Sequence, residues 1–333
     1  MNSNFRVNFA NLSIKFGDKD LLDYIDVVSK AFLMDTNIRN TRSGNYFFLD
    51  AKIMRSDPKD PMTTVIAGHF VKNTTLTREQ LFKDDELVTD HAQIQTSPSA
   101  YFVLFLADHR LAYAPETKSA PTLKNFEAAV SLFVKRSFKM FEDEIYYQKK
   151  SIDAKYTRSS FYKEHDAPII SVVPQTSRQD IDAFINRFQV INKITVHVVK
   201  RNQDIDGENI FEQLLEQTEP LGPTSAKYEV RGGKEGLNIE ESKEFVADTT
   251  EGGYEDVSIQ GKDASGATLN GTNDTFKLAV KADLPPSPEA RVNKLSEIYK
   301  KQKDLGNIKV GERNIGKVMP KLESLWNDAN PAE

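Results

Sequence analysis

The stretch from residue 45 to residue 141 constrains the fold most. Strand-like runs cover Tyr46–Arg55, Met62–Lys72, Tyr101–Leu106 and Leu111–Tyr113. The second of these, with Thr63-Thr-Val-Ile-Ala-Gly-His-Phe-Val71 inside it, is rich in β-branched residues. A short helix is expected between the second and third runs. Asp108-His109-Arg110 reads as the turn of a hairpin. Thr122 then offers a side-chain cap to a helix reaching Phe141, and Leu123, Phe126, Val130, Phe133, Val134 and Phe138 mark its buried stripe. Meandering strands with a helix on one face predict an α+β domain.

The flanking segments extend this pattern. Phe5–Phe16 alternates as a strand, and Asp20–Leu33 has helical spacing with acidic residues in its first turn. Residues 142–166 are polar, lysine-rich and dotted with tyrosine, and read as a connector. Beyond them, Ile169–Val173 and Ile194–Val199 read as strands, and Ser177 as a helix cap. Asp204–Gln217 reads as a helix, and Tyr254–Val280 as strands turning at Asp263–Gly266. Leu284-Pro-Pro-Ser-Pro288 reads as a stiff linker, followed by a basic helix over Ala290–Asp304 and a further short helix through Trp326. The expected fold class is α+β: two mixed α+β domains with antiparallel sheets, plus a helical C-terminal tail. The expected boundaries are 1–141, a connector 142–166, 167–283, and a linker and tail 284–333.

Composition narrows function chiefly by exclusion. The 333 residues include no cysteine, which removes disulfides and thiolate metal sites. The start, Met1–Phe5, lacks the basic and apolar regions of a signal peptide. The longest apolar stretch, Ala100–Ala107, suits one buried strand, not a bilayer span. The expectation is a cytoplasmic protein without membrane insertion. A net charge of −5 does not favour a strongly basic nucleic-acid binder, although the placement of charge decides that question.

The order of elements resembles the RexA-like phage-exclusion family and a related bacterial domain family of unknown function. The residues that carry the resemblance are Asp256-Val-Ser-Ile-Gln-Gly-Lys-Asp-Ala-Ser-Gly-Ala-Thr-Leu269, Asp274–Leu278, Asn45–Leu49 and Asp108–Pro115 with the helix from Thr122. The resemblance implies a sequence-nonspecific binder of double-stranded DNA in an anti-phage system. It also implies a homodimer working with a partner effector protein. It transfers no catalytic residue, and no enzyme activity, cofactor or metal is expected.

Two basic segments could form the DNA-binding face. One comprises Lys135, Arg136, Lys139, Lys149, Lys150, Lys155, Arg158 and Lys163, interleaved with Tyr146, Tyr147, Tyr156 and Tyr162. The other comprises Arg291, Lys294, Lys300, Lys301 and Lys303, with Lys309, Arg313, Lys317 and Lys321 beyond. Lysine neutralises phosphates and releases counterions, and tyrosine can stack on bases. The plain alternative for each segment is an exposed helix face. Two other functions compete: a non-catalytic protein-interaction subunit docking through the aromatic first domain, and a divergent nuclease. The nuclease reading has little to rest on. Asp-His neighbours at 90–91, 108–109 and 165–166 have side chains that point apart, and Glu241-x-Lys243 lacks an apolar strand. Arg231–Gly236 lacks the ending of a phosphate-binding loop and reads as a turn.

Overall fold

The structure, a computed structural model, describes residues 4–198, 225–311 and 314–331. The expected helix Asp204–Gln217 and Arg313 lie outside the described residues. The chain opens with β1 (Asn4–Phe16) and β2 (Lys19–Asp20). The Asp20 carboxylate accepts from the Leu22 N–H at 2.8 Å and starts a single 3-10 turn, which leads into α1 (Ile25–Leu33). Strands β3 (Ile38–Thr41), β4 (Gly44–Arg55) and β5 (Thr64–Thr77) follow, then β6 (Gln80–Lys83), β7 (Glu86–Thr89) and β8 (Gln93–Thr96). Next come β9 (Ser99–Phe105), β10 (Arg110–Pro115), α2 (Leu123–Ile152) and α3 (Arg158–Glu164).

The second half holds β11 (Ile169–Pro174), α4 (Arg178–Ile185), β12 (Phe188–Val198), β13 (Ala226–Arg231) and α5 (Ile239–Thr250). It closes with β14 (Glu255–Asp263), β15 (Thr268–Thr272), β16 (Ala279–Asp283), α6 (Pro288–Asp304) and α7 (Ile315–Ala329). All the described pairings are antiparallel, so the fold is α+β as the sequence predicts.

The large sheet runs β11-β1-β10-β9-β5-β4-β3. Period-two alternation gives it two buried faces. Ala100, Phe102 and Leu104 of β9 point to one core, which also takes in Val28 of α1, Phe126 and Phe133 of α2, Phe161 of α3, and Val318 and Leu322 of α7. Tyr101, Val103 and Phe105 point to the other, which α6 covers with Val292, Leu295, Ile298 and Tyr299. A second sheet, β13-β12-β14-β15, packs Ile194, Val196, Val257 and Ile259 against Ile181 and Phe184 of α4 and Val246 of α5.

The expected domain boundaries cut across this architecture. β16 pairs with the first half of β1 and β11 with the second, so residues 169–174 and 279–283 belong to the large sheet. The expected linker is the bend from β16 into α6, where Ser287 accepts from the Ala290 N–H and Pro288 occupies the first turn. The expected tail is α6 and α7, which cover opposite faces of that sheet. The expected connector is the last third of α2 together with α3. Their apolar residues, including Phe161 and Tyr156, extend the first core and leave no break at residue 141.

Candidate functional site

The first basic segment is turned inward on its own carboxylates. Glu142, 1% exposed on α2, accepts from Lys139 at 2.8 Å, Arg158 at 2.7 Å and the Tyr162 hydroxyl at 2.7 Å. Burial works to raise its pKa, but these three donors hold it at about 2. Arg158 also pairs with Asp143 at 2.6 Å and stacks over Tyr146 at 4.7 Å. Lys149 pairs with Glu164 across the turn into α3. Arg136 donates to the Ile38 carbonyl at 3.0 Å, and Lys150 to those of Ala154 and Tyr156. Lys149 and Arg158 therefore brace α2 against α3, while Lys139 pairs within α2. Lys135, Lys155 and Lys163 stay exposed and carry no ion pair among the described residues.

The α6 residues of the second segment, from Arg291 to Lys303, lie on the other side of the sheet, whereas Lys317 and Lys321 lie on α7, on the same side as α2. Arg291 is packed into the fold, its side chain 15% exposed. It donates to Glu116 at 2.7 Å and stacks over Tyr101 at 5.0 Å. Glu116 also accepts from Ser99 at 2.6 Å and lies 3.5 Å from His69; burial opposes ionisation, yet these contacts hold its pKa at about 2. Lys294 pairs with Glu297 at 3.0 Å and Lys303 with Asp108 at 3.1 Å. Burial, followed by the nearby Arg110 charge, pushes Lys303 down. Further on, Lys309 pairs with Glu251 and Lys321 with Asp23. Lys300 and Lys301 are exposed and carry no ion pair among the described residues. The expected DNA-binding face is corrected accordingly: Lys135–Lys163 ride on α2, α3 and the turn between them, Arg291–Lys303 on α6, and these helices cover opposite faces of the sheet, so the two groups do not meet in one groove.

The structure does make one feature that sequence reasoning missed. In place of the expected short helix after β5, the chain forms a long hairpin arm. β5 leaves the large sheet beyond Asn73, where its pairing with β4 ends. From Thr74↔Thr96 to Thr77↔Gln93 it pairs only with β8. The ladder continues through Arg78 N–H to the Ala92 carbonyl and Asp90 N–H to the Glu79 carbonyl, both 2.9 Å, into the β6–β7 pair. Asp84 and Asp85 turn the tip with φ of 54° and 61°. Two positive φ values in succession match the tight turn whose twist suits a β-ribbon. At about 3.3 Å per residue the arm reaches on the order of 30 Å beyond the sheet.

The arm is apolar where a lone ribbon should be polar. Leu76 opposes Ile94 and Phe82 opposes Leu87, with exposures of 56, 57, 65 and 69%. Leu76 and Phe82 are six residues apart on one strand, an even spacing that keeps them on the same side of it, while the partner strand takes up one extra residue between Ile94 and Leu87. A two-stranded hairpin is marginal in water, and clustered exposed apolar side chains on such an element mark an interaction surface.

A family model described as Domain of unknown function (DUF4747) matches residues 5–300. The chain belongs to that family. No curated protein matches it.

The DUF4747 match spans the arm, both sheets and most of α6. Other chemistry-bearing residues of this DUF4747 chain are structural or lie apart. His109 is buried in the β9–β10 turn, whereas His91 is exposed on the arm. His165 bonds the Tyr24 hydroxyl at 2.8 Å through Nδ1. Glu241 and Lys243 lie in the first turns of α5, and Lys243 pairs with Glu240. Gly232 N–H and Leu237 N–H bond the Asn192 and Ile191 carbonyls at either end of the expected 231–236 turn. Among the described residues no three His, Asp or Glu side chains converge to hold a metal.

Two hollows are rimmed by acids. One, of about 640 Å³, lies between α1, α2 and α7, with Asp23, Asp26, Glu144 and Asp328 as well as Lys19 and Lys30 around Tyr24 and Phe141. The other, of about 290 Å³, sits between the sheets and holds Glu127, Asp256, Asp274, His197 and Lys124. Burial raises the pKa of both Glu127 and Asp256, and Asp256 adds to the effect on Glu127.

Proposed function

We propose that this DUF4747 chain is a non-catalytic protein-interaction subunit that docks onto a partner effector through its hairpin arm. By its resemblance to RexA-like proteins, it would act in the cytoplasm as part of a phage-exclusion system. The observation that carries the reading is the pair of exposed cross-strand contacts, Leu76–Ile94 and Phe82–Leu87, on an arm with no core of its own. Duplex DNA binding is the competing reading. Lys139, Lys149, Arg158, Arg291, Lys294 and Lys303 among its cations are engaged by carboxylates, and the α2–α3 and α6 groups lie on opposite faces of the large sheet.

The test replaces Phe82 with a photo-crosslinking phenylalanine derivative in the cells that encode the chain. A discrete protein adduct from Phe82, and none from the same group at Lys300, is the expected result. Adducts at neither position, together with salt-sensitive retention of random-sequence duplex in a gel shift, would overturn the reading.

A further inference from the structure

The chemistry of the arm points to its occupant. Arg78 is tied to Asp90 within the hairpin. That leaves Glu79, Asp84, Asp85 and Glu86, all exposed and without an ion pair among the described residues, against Lys83 alone. Three of these acids sit at the tip, directly beyond the Phe82–Leu87 pair. The apolar face is therefore bordered by uncompensated negative charge on the element that stands farthest from the body. An anionic membrane or a nucleic acid would be repelled at that point. An apolar surface bordered by lysine or arginine would gain on both counts: burial of the ladder, and complementary charge at a rim where charge sets specificity and encounter rate.

We infer that the arm receives a protein face whose apolar residues are flanked by basic side chains; this rests on the docking reading above. Leu76 and Phe82 are six residues apart, about 20 Å along their strand. A helix covers that span in about four turns. Leu76 and Ile94 then meet one end of its apolar stripe, and Phe82 and Leu87 the other.

The experiment uses the full chain and two labelled amphipathic helical peptides, alike in their leucine stripe, one carrying lysines and the other glutamates on the polar face. Fluorescence anisotropy should show the lysine peptide binding at least about tenfold tighter at low salt, with the gap shrinking as salt rises. Reversing the tip (Asp84→Lys, Asp85→Lys, Glu86→Lys) leaves the apolar ladder intact and should invert the preference. Phe82→Asp with Leu87→Asp should weaken both peptides.

Equal affinity of the wild-type chain for both peptides, or an unchanged preference after tip reversal, would overturn the charge assignment. The crosslink at Phe82 judges docking separately, so the two failures are distinguishable. Light scattering that shows self-association abolished by Phe82→Asp would seat a second copy on the arm and overturn the inference. Flotation with phosphatidylserine vesicles that depends on Phe82 would do the same in favour of a membrane.

Discussion

Two turns in this molecule use similar backbone and charged residues and meet opposite fates. The β9–β10 turn, Asp108-His109-Arg110, carries His109 at φ 51°; the β6–β7 turn carries Asp84 and Asp85 at 54° and 61°. Arg110 is fully buried. It donates to Asn11 at 2.5 Å and to the carbonyls of Gly252 at 3.1 Å and Lys309 at 2.9 Å, and lies over the Tyr254 ring. Asp108 accepts from Tyr299 at 2.6 Å and from Lys303. That turn clamps β1, the loop before β14 and the end of α6 together. The β6–β7 turn is exposed and its carboxylates reach no cation among the described residues. A charged turn is thus a fastener where several chain segments converge on it, and a recognition element where none does.

Breaking the buried turn should have the largest effect. Arg110→Met strands two carbonyls and Asn11, and should cost on the order of 3–5 kcal/mol in urea unfolding. A loss no greater than that of a surface change would dissolve the contrast. The next effect is set by pH. Glu142 and Glu116 have pKa values held at about 2, below the ordinary 4.5. The stability they contribute is present above that ordinary value and is lost as pH falls through the depressed one. Thermal midpoints should drop between about pH 5 and 2, and Glu142→Gln should flatten part of the drop.

Asp256 sharpens the point with the reverse sign. Its pKa is raised by burial, so its contribution is full at low pH and declines as pH rises through the raised value. Asp256→Asn should therefore raise the midpoint at neutral pH, by about 1 kcal/mol or less. The smallest effect belongs to the arm. Phe82→Ser should leave global stability within about 0.5 kcal/mol, because the residue has no core to leave. A larger loss would mean that the arm is part of the folding unit.

The sequence discloses elements better than it discloses neighbours. The α2 stripe from Leu123 to Phe138 is buried as its spacing predicts, and Thr122 caps it through Asn125 N–H. The turn at Asp263–Gly266 forms with the Asp263 carboxylate accepting from Ser265 and Ala267 N–H. These outcomes depend on residues a few positions apart. Acids within the first basic segment, Glu142 among them, are visible in the sequence. Glu116 and Asp108, which neutralise Arg291 and Lys303, lie more than a hundred residues away and meet them only through α6 packing. The arm escaped for another reason. Its polar and charged residues resemble a solvated connector, and its few apolar side chains register as a pattern only once β5 and β8 are aligned. α5 was missed because its buried stripe is short, with Val246 the main apolar anchor, although its Asn238 cap and acidic first turn are helix-start signals.

β1 has a consequence for how the chain is made. One edge of this first strand is zipped by residues 279–283 and 169–174 in succession. During synthesis the part of that edge at residues 4–8 stays open until residues 279–283 have left the ribosome. Its unsatisfied amides are exposed for that interval, a period in which chaperone binding or premature pairing can compete. A chain truncated before residue 279 would keep its β9–β10 hairpin and yet lack the partner that closes one end of β1.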